Sequence, residues 1–176
     1  MKPDQVLETL RAKLQDRLLD SHIVERIVAV GGRTHPDLWI KVDRSALHDT
    51  TAALLASFDP HLSVISGDDL DESLLLNYHF TVGWGTQHGE ICVTVQTSVP
   101  KSDLRMPTIT DLIPGALTSE REKHEFFGVI FDGIPDDRNL FLPEGMTIHP
   151  WRRDEESQRE TDTMVERLVK WESKDA

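Results

Sequence analysis

Apolar residues recur at helical spacing from Pro3 to Leu19: Val6, Leu7, Leu10, Leu14 and Leu18 share one side, with Glu8, Arg11, Lys13 and Asp16 filling the other. Pro3 stands where a helix can begin, so the pattern predicts an amphipathic helix over Pro3–Leu19. The period then shortens. "IVERIVAVGG" (23–32) predicts a strand running into paired glycines, and "DLWIKVD" (37–43) a second strand joined to it through "RTHP". Helical spacing returns from Ser45 to Phe58, with Leu47, Leu54, Leu55 and Phe58 turned inward and "DP" closing the element. "LSVISGDDL" (62–70) predicts a short strand. The plainest feature is a hairpin, in which "LLLNYHFTVGW" (74–84) and "EICVTVQTSV" (90–99) flank the turn "GTQHG". Ile91, Val93 and Val95 alternate with Cys92, Thr94 and Gln96, the pattern of a strand with one apolar face. Helix, two strands, helix, then more strands predicts an α+β fold, one mixed β-sheet packed with helices, over residues 1–99.

The character changes after Pro100. "KSDLRMPTITDLIPGALTSE" carries Pro107 and Pro114 and predicts a connector with at most a helical turn from Thr108. A helix with explicit ends is predicted over Thr118–Gly128. Thr118 or Ser119 serves as its N-cap, Glu122 completes a capping box with Ser119, and Gly128 suits a left-handed terminus. Within it Glu120 and His124, and Arg121 and Glu125, are four apart and can pair on one face. Residues 100–147 are therefore a linker and a helix/turn unit of the same fold. "GMTIHPWRRDEESQRETDT" (145–163) is polar and expected to be extended, and "MVERLVKWESKDA" can form a terminal helix through Met164, Leu168 and Trp171. Residues 148–176 hold too little apolar surface for a core of their own, so this extended C-terminal arm either drapes over its own domain or orders against a partner.

Charge narrows the partners. A net charge of −12 over 176 residues argues against nucleic acid and against adhesion to an anionic bilayer. No run of about 18 apolar residues occurs, and the opening "MKPDQVLETLRAKLQD" has no signal-peptide core, so a cytoplasmic protein is expected. The single cysteine, Cys92, excludes an internal disulfide and cannot hold an iron–sulfur cluster.

Candidate chemistry is sparse. "HEFFG" has the start of a zinc-protease helix, but Gly128 stands where the second histidine belongs. A hydrolase built on Glu120, His124 and Glu125 is one reading, and bound zinc near one equivalent would be its mark. The histidines at 22, 35, 48, 61, 79, 88, 124 and 149 show no paired ligand spacing and read as scattered surface residues. "VGWGTQHG" joins two strands and is a hairpin turn, not a dinucleotide cradle. Cys92 sits mid-strand and reads as a packing thiol. These residues assign no catalytic, cofactor-binding or metal-binding role to the chain.

The second half resembles the C (30 kDa) subunit of NADH:quinone oxidoreductase, respiratory complex I, and its counterparts in membrane-bound nickel–iron hydrogenases and formate hydrogenlyases. The signature is carried by Glu120, Arg121, Glu122, Glu125, Phe126, Phe127, Gly128, Val129 and Phe131. "GIPDDRNLFLPE" keeps Gly133, Pro135, Asp136, Arg138 and Leu140 of the next family element. His149, Pro150, Arg152, Arg153 and Asp154 match the one after, and "MPTITDLIPGA" resembles the family's preceding linker. Two positions depart: Ile134 replaces the usual histidine before Pro135, and the tryptophan often preceding E-R-E is absent. The G-I-P-D-D-R form is closer to the hydrogenase and formate-hydrogenlyase side.

The resemblance implies a subunit without a redox centre, docking on the D-type (49 kDa-like) or NiFe-hydrogenase large subunit on the cytoplasmic side of the membrane. Partner subunits would carry the iron–sulfur clusters and the quinone site or NiFe centre. The interface would comprise Glu120, Arg121, Glu122, Glu125, Phe126, Phe127, Gly128, Pro135, Arg138, His149, Pro150, Arg152, Arg153 and Asp154. Arg121 with Glu125, and Arg138 with Asp136 or Asp137, are expected to hold the turn, with Phe126 and Phe127 supplying apolar anchors. Truncation after Leu142 is then expected to leave the α+β domain folded and abolish assembly. The alternative is a free-standing soluble interaction domain that keeps the fold without the complex.

Overall fold

The computed structural model describes residues 2–28, 33–85, 89–143, 146 and 148–172. The chain runs α1 (Pro3–Leu14), β1 (Leu18–Val28), β2 (Arg33–Val42), α2 (Leu47–Phe58), β3 (His61–Asp69), β4 (Ser73–Val82) and β5 (Ile91–Pro100). It continues through β6 (Arg105–Pro107), α3 (Ala116–Phe127), β7 (Ile130–Asp132) and α4 (Glu155–Glu172). The main sheet has five strands in the order β1-β2-β5-β4-β3. β2 and β5 run parallel and the other neighbours antiparallel, so the sheet is mixed as predicted. β6 and β7 form a separate parallel pair.

One face of this sheet is the core. Leu38 lies beside Val93 and Ile40 beside Val95, and these abut Phe80 and Tyr78 on β4; Ile65 continues the row from Tyr78. All are buried, together with Val6, Leu10 and Leu14 of α1, Leu47 and Leu54 of α2, and Ala116 and Phe127 of α3. The opposite face carries Trp39, His79, Thr94, Asn77 and Gln96, the polar set of the period-2 alternation. There Ser66 Oγ lies 2.9 Å from His79 Nε2 and Thr94 Oγ1 3.0 Å from its Nδ1, while Gln96 Nε2 donates to Asn77 Oδ1 at 2.9 Å.

Several boundaries differ from the sequence expectation. α1 ends at Leu14 because Gln15 adopts φ 50°, and Leu18, which shares the helical spacing, packs on the core from the start of β1. "RTHP" lies within β2; Pro36 stands opposite Glu25 where β2 has a neighbour on one side only, a position that tolerates proline. α2 starts at Leu47 after a 3-10 turn, and Leu55 and Phe58 are only half-buried. The supposed connector contains β6, and residues 155–163, expected to be extended, are the first half of α4. The glycine pair at 31–32 and most of the "GTQHG" turn lie outside the described residues.

Candidate functional site

α3 organises the second half of the chain. It begins two residues earlier than the polar pattern predicts, at Ala116 with Gly115 as N-cap, so Thr118 and Ser119 fall inside the first turn and the capping box does not form. Glu122 pairs instead with its neighbour Lys123. The expected Glu120–His124 and Arg121–Glu125 pairs do not form either. Each of these four side chains reaches another segment, because buried backbone amides and carbonyls are stronger partners for a charge than a solvated neighbour one turn away.

Glu120 is fully buried. Its carboxyl accepts the Ile109 N–H at 2.9 Å and the Thr108 hydroxyl, which ties the loop after β6 to α3. Burial pushes its pKa up to about 7, even though both hydrogen bonds pull it down. One turn on, the buried Glu125 carboxylate accepts from three consecutive backbone amides: Leu140 at 2.9 Å, Phe141 at 3.1 Å, and Leu142. Arg121 takes the same segment by its carbonyls, donating to Arg138 at 2.9 Å and Asn139 at 3.1 Å, and lies 3.3 Å from Asp136. An acid and a base on adjacent turns thus grip residues 136–142 from both sides of the backbone. Asp136, and not Asp137, receives Arg138, at 2.9 and 2.8 Å, and these contacts hold its carboxyl well below the usual range. Pro135 is exposed beside this turn, while Ile134 leans on the core.

Gly128 closes α3 at φ 76°, as predicted, and its N–H donates to the His124 carbonyl at 2.9 Å. A Cβ on Gly128 would lie 2.7 Å from His149 Nε2, so the glycine also makes room for the arm. His149 Nδ1–H donates to the Glu125 carbonyl at 2.9 Å, and the Trp151 N–H to the Phe126 carbonyl at 3.1 Å. The arm therefore satisfies carbonyls that the last helical turn leaves free. His124 reaches the Val129 carbonyl at 2.8 Å. The Phe126 ring stacks between Trp151, 4.4 Å away, and Phe141, 5.8 Å away. Phe127, in contrast, is a core residue that meets Trp151 edge-on. Lys123 Nζ lies 4.8 Å over the Trp151 ring. Phe141 and Trp151 remain 65% and 43% exposed, so this aromatic row is a surface ridge with a rigid base.

Beyond the ridge, the Arg153 N–H donates to Asp69 Oδ2 at 2.6 Å, and Lys101 neutralises the other oxygen of that buried carboxylate. Pro150 is partly buried between His149 and Trp151. Asp154 caps α4 through the Ser157 N–H at 3.0 Å, with Arg152 Nε 3.6 Å from its carboxylate. The residues singled out in the sequence thus converge around α3, with Phe127 in the core and Pro135 at the periphery. Sequence reasoning missed Trp151, Phe141, Asp69 and Lys101. Trp151, beside two arginines and an aspartate, was the one signal available in the chain, whereas Phe141 sits in the apolar run Leu140–Leu142 and nothing near Asp69 points to residue 153.

The hydrolase arrangement is not assembled, since Glu120, His124 and Glu125 each face a different backbone segment. Among the described residues no three His, Cys, Asp or Glu side chains lie together as a metal site. The Ser66–His79–Thr94 row has a hydroxyl where an acyl-transfer triad needs a carboxylate, and burial lowers the His79 pKa. Burial raises the Cys92 thiol pKa, as fits a packing residue.

The chain is similar to subunit 5 of the NADH-quinone oxidoreductase of Thermus thermophilus, 45% identical over 60 residues, or 34% of this chain and 29% of that one. This match spans under a third of that relative. Similarity to the membrane-bound hydrogenase subunit beta of Pyrococcus furiosus is 26% identity but covers 84% of this chain and 85% of the other. In structure, the trypsin-resistant fragment (1–134) of Nqo5 superposes with TM-score 0.56 at 29% identity, covering 77% of this chain and 99% of the fragment. The family model described as "Respiratory-chain NADH dehydrogenase, 30 Kd subunit" matches residues 40–161, well over half of the sequence, and the chain belongs to that family.

Proposed function

We propose that this chain is a cofactor-free subunit of a membrane-associated multisubunit oxidoreductase, of the NADH:quinone oxidoreductase type or the energy-converting NiFe-hydrogenase type. It docks on the 49 kDa-like or hydrogenase large subunit at the cytoplasmic side of the membrane. Its task is to hold that subunit in an assembly whose electron transfer drives ion translocation; iron–sulfur clusters and the quinone or NiFe site belong to the partners. Family membership supports the setting. The observation that carries the docking role is the clamp of Glu125 and Arg121 on residues 136–142, which offers Phe141, Phe126 and Trp151 as one pre-ordered ridge. A ridge fixed in advance loses little entropy on binding, and clustered aromatics are the usual anchors of protein interfaces. A single cysteine is consistent with the clusters lying elsewhere. No helix among the described residues is long and apolar enough to cross a membrane.

The test is purification of the tagged chain from its own membranes in mild detergent, with co-purifying proteins identified by mass spectrometry. A large subunit of either type together with iron–sulfur proteins is the expected result, and the companion set names the branch. Recovery of the chain alone from the soluble fraction would replace this reading with that of a free-standing interaction domain.

A further inference from the structure

β3 is an edge strand. Its segment Val64–Asp69 pairs with β4 alone, and no other backbone bond joins it among the described residues. Free edges are usually blunted by lysine, proline, a bulge or a covering element. Here the bulge falls earlier, between Leu62 and Val64, and the strand contains neither lysine nor proline. Val64 is 48% exposed. The charges of β3, Asp68 and Asp69, lie at its far end, and Asp69 is buried and paired with Lys101; the opposite edge, β1, has its bulge near one end and carries Asp20, Glu25 and Arg26 along its length.

The free edge of β3 is also one wall of a groove of about 550 Å³. All six residues from Val64 to Asp69 line it, and the other wall is formed by Glu122, Lys123 and Phe127 of α3 with Trp151 and Arg153 of the arm; Glu122 is paired with Lys123, which leaves Arg153 as the cation facing the groove. Six residues of strand span about 20 Å at the usual rise of about 3.3 Å per residue. Gly67 lets the two walls approach, since a Cβ there would stand 2.8 Å from the Phe127 ring. The Arg153 guanidinium makes no ion pair among the described residues, although its backbone is fixed on Asp69.

We propose that this groove takes up an extended segment of a partner subunit as a sixth strand on β3. The inference rests on the reading that the chain is a subunit, and it adds a docking surface that adjoins the aromatic ridge and shares Trp151 with it. Backbone pairing with the outward amides and carbonyls of Val64–Asp69 supplies affinity, and alternate side chains of the segment supply specificity. An apolar side chain rests on the Phe127–Trp151 side, and a carboxylate near the Asp69 end meets Arg153. A second copy of this chain fits poorly. Its own β3 is flanked by the same wall of α3 and arm, which would have to enter the groove with the strand.

The experiment places the photo-crosslinker benzoylphenylalanine at Val64 or at Asp68 of the full chain. The complex is irradiated in its own membranes, and the crosslinked peptides are sequenced after the companion subunits have been recorded. Crosslinks from both positions to one partner segment, at residues about four apart, are the expected result. Crosslinks to this same chain, to scattered residues, or none at all, overturn the sixth strand. Absence of crosslinks with the companion subunits present removes the groove proposal and leaves the subunit reading standing. A crosslinked strand from a protein outside any oxidoreductase would keep the groove and remove that reading.

Discussion

Glu120 shows how a single buried group sets a pH response. Its pKa stands at about 7 against an ordinary value of 4.5. The folded state therefore holds the proton more tightly, and the stability gained is fully present below pH 4.5. It is lost as pH rises through about 7, a total of about 3 kcal/mol at about 1.36 kcal/mol per pKa unit. Glu120→Gln stays neutral and can still accept from Ile109 and meet Thr108. Denaturant unfolding at pH 5 and pH 8 should show the variant gaining on the parent protein between the two; an unchanged difference would place the proton elsewhere. Gly128 carries a different constraint, a left-handed φ with His149 stacked against it. Gly128→Ala is expected to cost about 2 kcal/mol of stability, from the strained backbone and displacement of the imidazole, measured by thermal unfolding.

α3 behaves as a hub because its charged side chains end on backbone groups. Glu125 alone satisfies the amides of Leu140, Phe141 and Leu142. Glu125→Ala should cost about 3 kcal/mol, the order expected when buried hydrogen bonds to a charge are lost, and should release the ridge. Amide exchange at 140–142 should accelerate well beyond that of the sheet, and a variant with unaltered exchange would deny the clamp. The element itself was legible in the sequence, through its charged i, i+4 spacing and Gly128, although the capping signals at Thr118 and Ser119 misplaced its start. Its partners were not: i and i+4 spacing proposes Arg121 with Glu125, whereas both reach across about 15 residues of chain to the same turn. Local spacing ranks only local partners, and the stronger acceptors arrive with the tertiary fold.

At the scale of the whole molecule, the arm divides at Asp154. Residues His149–Arg153 complete the end of α3 and fasten to β3, so a cut after Leu142 would remove structural contacts together with any docking surface. From Glu155 to Arg167 only Ser157 is buried. Truncation after Asp154 is therefore the cleaner test of the tail. Unfolding free energy should stay within about 0.5 kcal/mol of the full chain, as for changes to exposed surface, while co-purification with the partner falls. A truncated chain that still recovers its partner in full would assign docking to the ridge and groove alone.

The alternation of Ile91, Val93 and Val95 with polar neighbours, the 3.6-residue spacing in α1 and α2 and the glycine at 128 determined the elements, because each depends on local geometry. The signature from Glu120 to Asp154 likewise marks the family in the sequence itself. Strand order, the parallel contact of β2 with β5, and the meeting of Asp69 with Arg153 could come only from the tertiary structure. These are contacts between distant segments, chosen by how buried apolar faces and unpaired backbone groups are satisfied together, and no spacing within one segment encodes them.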